Sequence, residues 1–204
     1  HTTGTTTDVH LPKTVSGGAM VRLKRTDSTG DWFVVDTVRG AVAHFKWNDE
    51  TFAEANFSDG SLTGTTLTLS SDLATGTYVV EVFYEGSYFQ IKTYTGNGSN
   101  RTISFDETLD SAPGFGLIRF RTTTTANTVC YHEALGNTTI IWADATAAAA
   151  SGQATTFNST DPTTTQFSLG THTGVNGNTS TYVSYWWANS GPYAFGSYEG
   201  NATS

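Results

Sequence analysis

Cysteine, methionine and proline are all rare in this chain. Its 204 residues include one cysteine, one methionine and four prolines. A disulfide within the chain is therefore excluded, and so is a metal knuckle of the Cys-x-x-Cys type. The one thiol, Cys130, lies in a strand-like stretch at residues 128–131, where a buried and unreactive side chain is expected.

Positive charge is scarce as well. Ten Lys and Arg residues stand against 18 Asp and Glu residues, which gives a net charge of −8 and a pI near 4.9. Binding to nucleic acid requires clustered Lys and Arg side chains that displace counterions from phosphates. The chain has no such cluster, so neither nucleic acid nor an anionic membrane surface is an expected partner.

Long apolar runs are also missing. No stretch approaches the roughly 18 apolar residues that a membrane-spanning helix needs, so membrane insertion is not expected. The chain starts at His1 without an initiator methionine, and no signal peptide is recognisable. We therefore expect a processed product or a piece of a longer polypeptide.

Residues that favour β-strands are abundant instead. Aromatic residues make up 13% of the chain, and threonine is frequent. These side chains suit the pleated, half-buried surface of a sheet. Alternating patterns bounded by Gly, Asn and Asp predict strands at residues 19–24, 32–36, 41–47, 61–69, 77–84, 88–94, 115–121, 128–133, 138–142, 166–169, 181–187 and 193–198. The predicted fold class is all-β, an antiparallel β-sandwich of the jelly-roll or concanavalin A-like type.

Two segments interrupt this pattern. The alanine-rich residues 144–150 carry helical propensity, enough for at most a turn or two. Residues 170–178 are rich in Gly and Asn and predict a long surface loop, of the kind that often carries recognition.

A sequence repeat organises the chain. The sequence YTGNG at residues 94–98 returns as YEGNA at residues 198–202, about one hundred residues later. The other matching segments are 20–24 with 117–121, 36–40 with 132–136, 67–69 with 167–169, and 76–80 with 180–184. A unit of this length suits a small sandwich, so we predict two tandem homologous units, residues 1–92 and 93–204, with a seam near residues 90–93. The alternative is one larger sandwich in which each repeat supplies part of both sheets.

The repeated pattern resembles a known family. An apolar-basic strand leads to Gly-Asp-Trp-x-x-x-Asp-x-x-Arg-Gly at residues 30–40, followed later by Gly-Thr-Tyr-Val at 76–79 and Tyr-Thr-Gly-Asn-Gly at 94–98. It is similar to a repeated domain of bacteriophage tail-fibre and receptor-binding proteins, a concanavalin A-like lectin/glucanase type of β-sandwich. The resemblance implies a location on the virion surface and, by analogy with fibre proteins, a trimer. The second unit departs from the pattern, because Thr128, His132 and Leu135 stand where the first has Trp, Asp and Arg.

Aromatic side chains are the candidates for a carbohydrate site. Sugar rings present apolar C–H faces that stack on Trp or Tyr, while polar loop residues hold the hydroxyl groups. Neighbouring side chains of residues 185–187 alternate between faces, so we expect at least one large aromatic to face a ligand or another subunit. The candidate carbohydrate-binding or interface residues are Trp47, Trp142, Tyr185, Trp186, Trp187, His172 and Asn176.

A structural role is predicted for four other residues, Trp32, Asp36, Arg39 and Gly40. The Asp36 carboxylate and the Arg39 guanidinium lie at a strand end, where they are expected to pair and fix the turn at Gly40.

No catalytic residue, metal ligand or cofactor is predicted. Glycoside hydrolysis needs two carboxylates about 5 to 10 Å apart, whereas Glu81 and Glu85 would lie roughly 13 Å apart on one strand face. The histidines are scattered singly. Oxygen-rich residues 56–60 and 158–161 leave calcium as an open alternative, although Asp and Asn are also typical of turns.

These observations together predict a bacteriophage virion structural protein, without enzymatic activity. The expected role is a tail-fibre or surface-appendage domain that binds a host-surface polysaccharide or glycan. Its other partners would be further virion proteins and copies of itself. Two alternatives stay open: a purely architectural capsid-decoration or fibre-shaft protein, and a polysaccharide depolymerase that uses Glu81.

Overall fold

A computed structural model describes residues 7–49, 53–122 and 127–200. Within these residues the chain forms strands that pair antiparallel throughout, one 3-10 turn at Glu133–Leu135 and one short helix, α1, at Thr173–Asn176. The strands are β1 (Thr7–Val15), β2 (Ala19–Arg25), β3 (Trp32–Asp36), β4 (Gly40–Lys46), β5 (Ala55–Asn56), β6 (Ser61–Leu69), β7 (Tyr78–Tyr84), β8 (Phe89–Thr95), β9 (Arg101–Ser104), β10 (Pro113–Phe120), β11 (Val129–His132), β12 (Ile141–Trp142), β13 (Gln166–Leu169) and β14 (Thr181–Ala188). The predicted all-β antiparallel sandwich is confirmed.

Two large sheets form the centre of the molecule. One has the strand order β5-β4-β3-β2-β7 and the other the order β12-β11-β10-β14-β8. Their inner faces pack together through a shared core that includes Met20, Phe45, Leu117 and Trp187. The first large sheet takes its strands from before residue 85, and the second takes its strands from after residue 88.

Two small sheets cover the outer faces. The β1-β6 pair packs on the first large sheet, where Leu11 and Leu67 meet Val21. The β13-β9 pair packs on the second, where Phe167 meets Ile118. Because side chains alternate along a strand, each large sheet contributes one set of side chains to the shared core and the other set to its own outer core. The described residues thus form four layers with three apolar cores between them.

The same strand order occurs in both halves, as β4-β3-β2-β7 and as β12-β11-β10-β14. Met20 pairs with Asp36 in the first sheet, and Phe115 pairs with His132 in the second. The pairing therefore aligns Met20 with Phe115, whereas the sequence repeat aligned it with Leu117. A shift of two residues leaves every side chain on its original face, so the apolar pattern is the same in both alignments. The division into two tandem units stays a prediction, and its boundary at residues 92 and 93 falls inside β8.

Several segments differ from the predictions. Residues 193–198 form no strand, because β14 already has β10 on one side and β8 on the other. Residues 144–150 form no helix, since Asp144 at their start is held by Arg119 and Thr128. The predicted loop at 170–178 contains α1, and the strands β1, β5 and β9 lie outside the predicted set. No helix in the described part of the chain is long and apolar enough to cross a membrane.

Candidate functional site

One corner of the first large sheet's inner face is not covered by the second sheet. Lys24 pairs with Trp32 on one side and with Val79 on the other, so the three form a row across β3, β2 and β7. Trp47 extends this row, because its backbone N–H donates to the carbonyl oxygen of Trp32 at 2.8 Å. Val79 is 46% exposed, and the two tryptophans are half-buried. Two indole rings therefore lie side by side at a surface.

Arg22 holds both of these rings. Its guanidinium carbon lies 4.9 Å from the ring centre of Trp32 and 5.0 Å from that of Trp47, which is the geometry of a cation–π contact. On the other side, Arg22 Nε donates to Glu81 Oε2 at 2.6 Å. We call Arg22, Trp32, Trp47 and Glu81 the tryptophan–arginine patch. Because the charge of Arg22 is balanced by Glu81, the patch offers a rigid aromatic surface with little net charge.

Polar groups line the rim of the patch. Lys46 Nζ lies 2.8 Å from Asp31 Oδ2, and Asn48 Nδ2 donates to Asp31 Oδ1 at 3.1 Å. Asn48 also accepts the backbone N–H of Trp32 at 2.8 Å. The hydrogen bond from Lys46, together with that from Asn48, lowers the pKa of Asp31. These contacts fix the two loops beside the tryptophans and place amide and carboxylate groups where the hydroxyl groups of a ligand could bind.

The aromatic run at residues 185–187 lies inside the protein. Tyr185 and Trp187 face the shared core, and Trp186 faces the outer core of the second half, 4.5 Å from the ring of Phe167. All three are buried. The side chains do alternate as expected, but this chain's own sheets cover both faces of β14. None of the three is available to a ligand in this structure.

The other candidates are also separate from the patch. His172 caps α1, where its Nδ1 accepts the N–H of Gly174 at 3.1 Å. Asn176 is buried, and its Nδ2 donates to the carbonyl oxygens of Gly170 at 2.7 Å and Ser99 at 2.8 Å. Trp142 is half-buried against the outer core of the second half. Of the predicted binding residues, only Trp47 belongs to the patch.

Asp36 and Arg39 form the pair that fixes the turn at Gly40. Arg39 Nε lies 2.6 Å from Asp36 Oδ2, both side chains are fully buried, and Gly40 has a φ of +98°. The hydroxyl group of Tyr185 on the opposite sheet donates to the same Asp36 oxygen at 2.6 Å. The pair therefore also joins the two large sheets, a role that the sequence did not indicate.

Glu54 extends this contact between the sheets. Its carboxylate lies 2.9 Å from Arg39 Nη1 and 2.7 Å from Arg121 Nη2 on the segment that follows β10. Burial acts to raise the pKa of Glu54, but hydrogen bonds from Arg121 and Arg39 outweigh burial and lower it. The charged groups of Asp36, Arg39, Glu54 and Arg121 pair with one another, so we assign this network a structural role.

Carboxylates elsewhere are also engaged within the protein. Glu81 pairs with Arg22, whereas Glu85 accepts the N–H of Ile91 at 2.7 Å. The two carboxylates considered for hydrolysis thus serve different neighbours. In the oxygen-rich loop at 56–60, Asp59 accepts hydrogen bonds from the side chain and backbone of Ser71. Among the described residues, no three His, Cys, Asp or Glu side chains are grouped as a metal ion would require.

Comparison with known proteins identifies one family. A family model described as a domain of unknown function, DUF7483, matches residues 77–204, more than half of the chain. The chain belongs to this family. The DUF7483 match starts just before β7 and includes every strand of the second large sheet, so Glu81 lies inside it and the rest of the patch lies before it. Searches of curated proteins and of solved structures give no significant match.

Sequence reasoning assigned Trp32 to a structural role and left Arg22 out of the candidates. The patch depends on the register of the hairpin formed by β3 and β4. Its register pairs Phe33 with Lys46, and one further step places Trp32 opposite Trp47. Counting outward from the turn at residues 37–40 would have placed Trp32 opposite His44 instead, because a bulge between Val35 and Asp36 shifts the register of this hairpin.

Proposed function

We propose that this chain is a glycan-binding domain without enzymatic activity and that it binds through the tryptophan–arginine patch. One observation carries the proposal: two half-buried tryptophans lie side by side and share one guanidinium. The resemblance to phage fibre repeats supplies the setting, in which the chain is a tail-fibre or surface-appendage domain of a virion. Its ligand is then a polysaccharide on the host surface.

The chemistry of the patch suits a sugar ring. A pyranose presents a face of C–H groups that stacks on an indole ring, and its hydroxyl groups need hydrogen-bonding partners at the edge. Asp31 and Asn48 supply such partners next to Trp32. Because Arg22 and Glu81 already fix the rings, little side-chain freedom is lost on binding. The protein's net charge of −8 favours a neutral glycan over a polyanionic one.

The test is a glycan array followed by calorimetric titration of the best ligand against three variants. We expect Trp32→Ala and Trp47→Ala each to weaken binding at least about tenfold, which corresponds to about 1.4 kcal/mol. Trp142→Ala is the matched control, because Trp142 is also half-buried but lies on another core. Equal losses in all three variants, or unchanged binding by Trp32→Ala, would contradict the proposal.

A further inference from the structure

Strand β7 is an edge strand with an unusual sequence. It ends the first large sheet, and no strand among the described residues pairs with its outer side. Its seven residues, YVVEVFY, contain one charge. Val80, Val82 and Tyr84 also line a groove of about 290 Å³ that β7 forms with β1. Long apolar edges of this kind readily accept a further strand from another chain.

The equivalent strand in the second sheet does have a partner on that side. β14 corresponds to β7, and it pairs with β10 on one side and with β8 on the other. β7 pairs with β2, and no described strand takes the place that β8 has beside β14. β8 pairs with β14 along its whole length, from Phe89 opposite Trp187 to Thr95 opposite Thr181. β8 follows β7 in the sequence, yet it pairs with the later strand β14 rather than with β7. The strand that follows β7 in the sequence is therefore part of the second large sheet.

Residues 193–198 are the sequence counterpart of β8. The repeat aligns Tyr198 with Tyr94 of β8, and it aligns Tyr78 of β7 with Tyr182 of β14 at the same separation. The segment has the alternating pattern of a strand but forms none, because both sides of β14 are occupied. Tyr198 is 93% exposed. The segment thus has no ladder to join in its own chain, although two of its side chains pack against the shared core: the ring of Tyr193 lies 6.3 Å from that of Phe83, and the ring of Phe195 lies 5.7 Å from that of Phe115.

A glycine after the segment supports the comparison. At Gly96, just after β8, a Cβ atom would lie 2.2 Å from the carbonyl oxygen of Gly177, and the Gly96 N–H donates to the carbonyl oxygen of Ser180 at 2.7 Å. Only glycine allows this close approach of two backbones. The repeat places Gly200 at the same position after Tyr198. The second copy of the motif therefore keeps the residue that docking of β8 requires.

We propose that residues 193–198 of one copy of this chain leave their own core and add as a strand to the edge of β7 in a second copy, where the incoming Tyr193 replaces that copy's own Tyr193 beside Phe83. The register follows from that of β8 on β14: Tyr198 lies opposite Tyr78, and Ser197 lies opposite Val79. The ring of Tyr198 then stacks on that of Tyr78, as the ring of Tyr94 stacks on that of Tyr182 at 5.2 Å. The contact is head-to-tail, so it builds a ring or a filament. It does not depend on glycan binding.

Cysteine cross-linking of the full chain tests the register. A Val79→Cys variant is mixed with a separate Ser197→Cys variant, so that any disulfide between them joins two molecules. Cys130 is buried and does not interfere, since burial raises the pKa of its thiol to about 12. We expect this matched pair to cross-link at least about tenfold faster than Val79→Cys mixed with Gly196→Cys, because neighbouring residues of a strand point to opposite faces.

Sedimentation velocity over a range of concentrations provides the second readout. We expect the wild-type chain to form oligomers and Tyr198→Ala to weaken the association about tenfold through loss of the stacked pair. Val38→Ala, which alters an exposed side chain in the β3–β4 turn, should associate like the wild type. A monomeric mass at every concentration, or equal cross-linking rates for the matched and mismatched pairs, would overturn the proposal.

Discussion

The two halves of the molecule place equivalent side chains in different surroundings. The strand pairing aligns Trp32 with Thr128 and Val79 with Val183. In the second half both positions are buried, whereas in the first half Trp32 is half-buried and Val79 is 46% exposed. The large sheets therefore meet off-centre, so that the second inner face is buried at these two positions and the first keeps an open corner. A repeat in sequence has produced an asymmetric surface.

The largest effect should come from comparing a covered tryptophan with an open one. Trp186 has no exposed surface, and Trp186→Ala should lower the free energy of unfolding by about 4 kcal/mol because it leaves a large cavity. Trp47 lies at the open corner, and Trp47→Ala should cost about 1 kcal/mol. Urea unfolding followed by circular dichroism measures both values. Similar losses for the two variants would show that the open corner is packed as tightly as the core.

The next comparison concerns two arginines of the first half. Arg39 is buried with Asp36, and Arg39→Met should cost about 3 kcal/mol because the carboxylate is left buried without its partner. Arg22 forms its ion pair with Glu81 at the open corner, where Arg22→Met should cost about 1 kcal/mol or less. The same unfolding experiment measures both variants. If Arg22→Met lowered the free energy of unfolding as much as Arg39→Met does, the distinction between the open corner and the buried pair would be contradicted.

The smallest effect expected is a pH dependence of the contact between the halves. The pKa of Glu54 is lower in the folded chain than its ordinary value of 4.5, so the unfolded chain binds more protons in acid. Glu54 therefore stabilises the folded chain at a pH above 4.5. This contribution to the free energy of unfolding is lost as the pH falls below that value. Unfolding free energies measured between about pH 7 and pH 3 should fall less steeply for Glu54→Gln than for the wild type.

Arg121→Met is the control for this titration, because it removes one of the two guanidinium groups that lower the pKa of Glu54. We expect its pH dependence to lie between those of the wild type and Glu54→Gln. If the unfolding free energy of Glu54→Gln fell with pH as steeply as that of the wild type, the acid sensitivity would belong to other carboxylates.

Much of the fold could be predicted from local pattern. The strands at 32–36, 61–69 and 166–169 were predicted with the bounds that the structure shows, because alternation and turn residues mark them clearly. The strand predicted at 193–198 is absent for a reason outside its own sequence: a strand needs a free edge, and β8 already occupies the edge of β14. The candidate site was predicted only at Trp47, since the patch depends on pairing between strands rather than on any single motif.

The sequence by itself determined the all-β class, the faces of each strand and the pairing of Asp36 with Arg39, because these depend on a period of two and on near neighbours. The tertiary structure decided which faces are covered. Alternation shows that Trp186 points away from Tyr185, but it does not show that both directions lead into cores. A shift of two residues between the repeats is likewise invisible in the pattern, since it moves no side chain to another face. The open corner and the free edge of β7 follow from how the layers stack, and that is a property of the assembled chain.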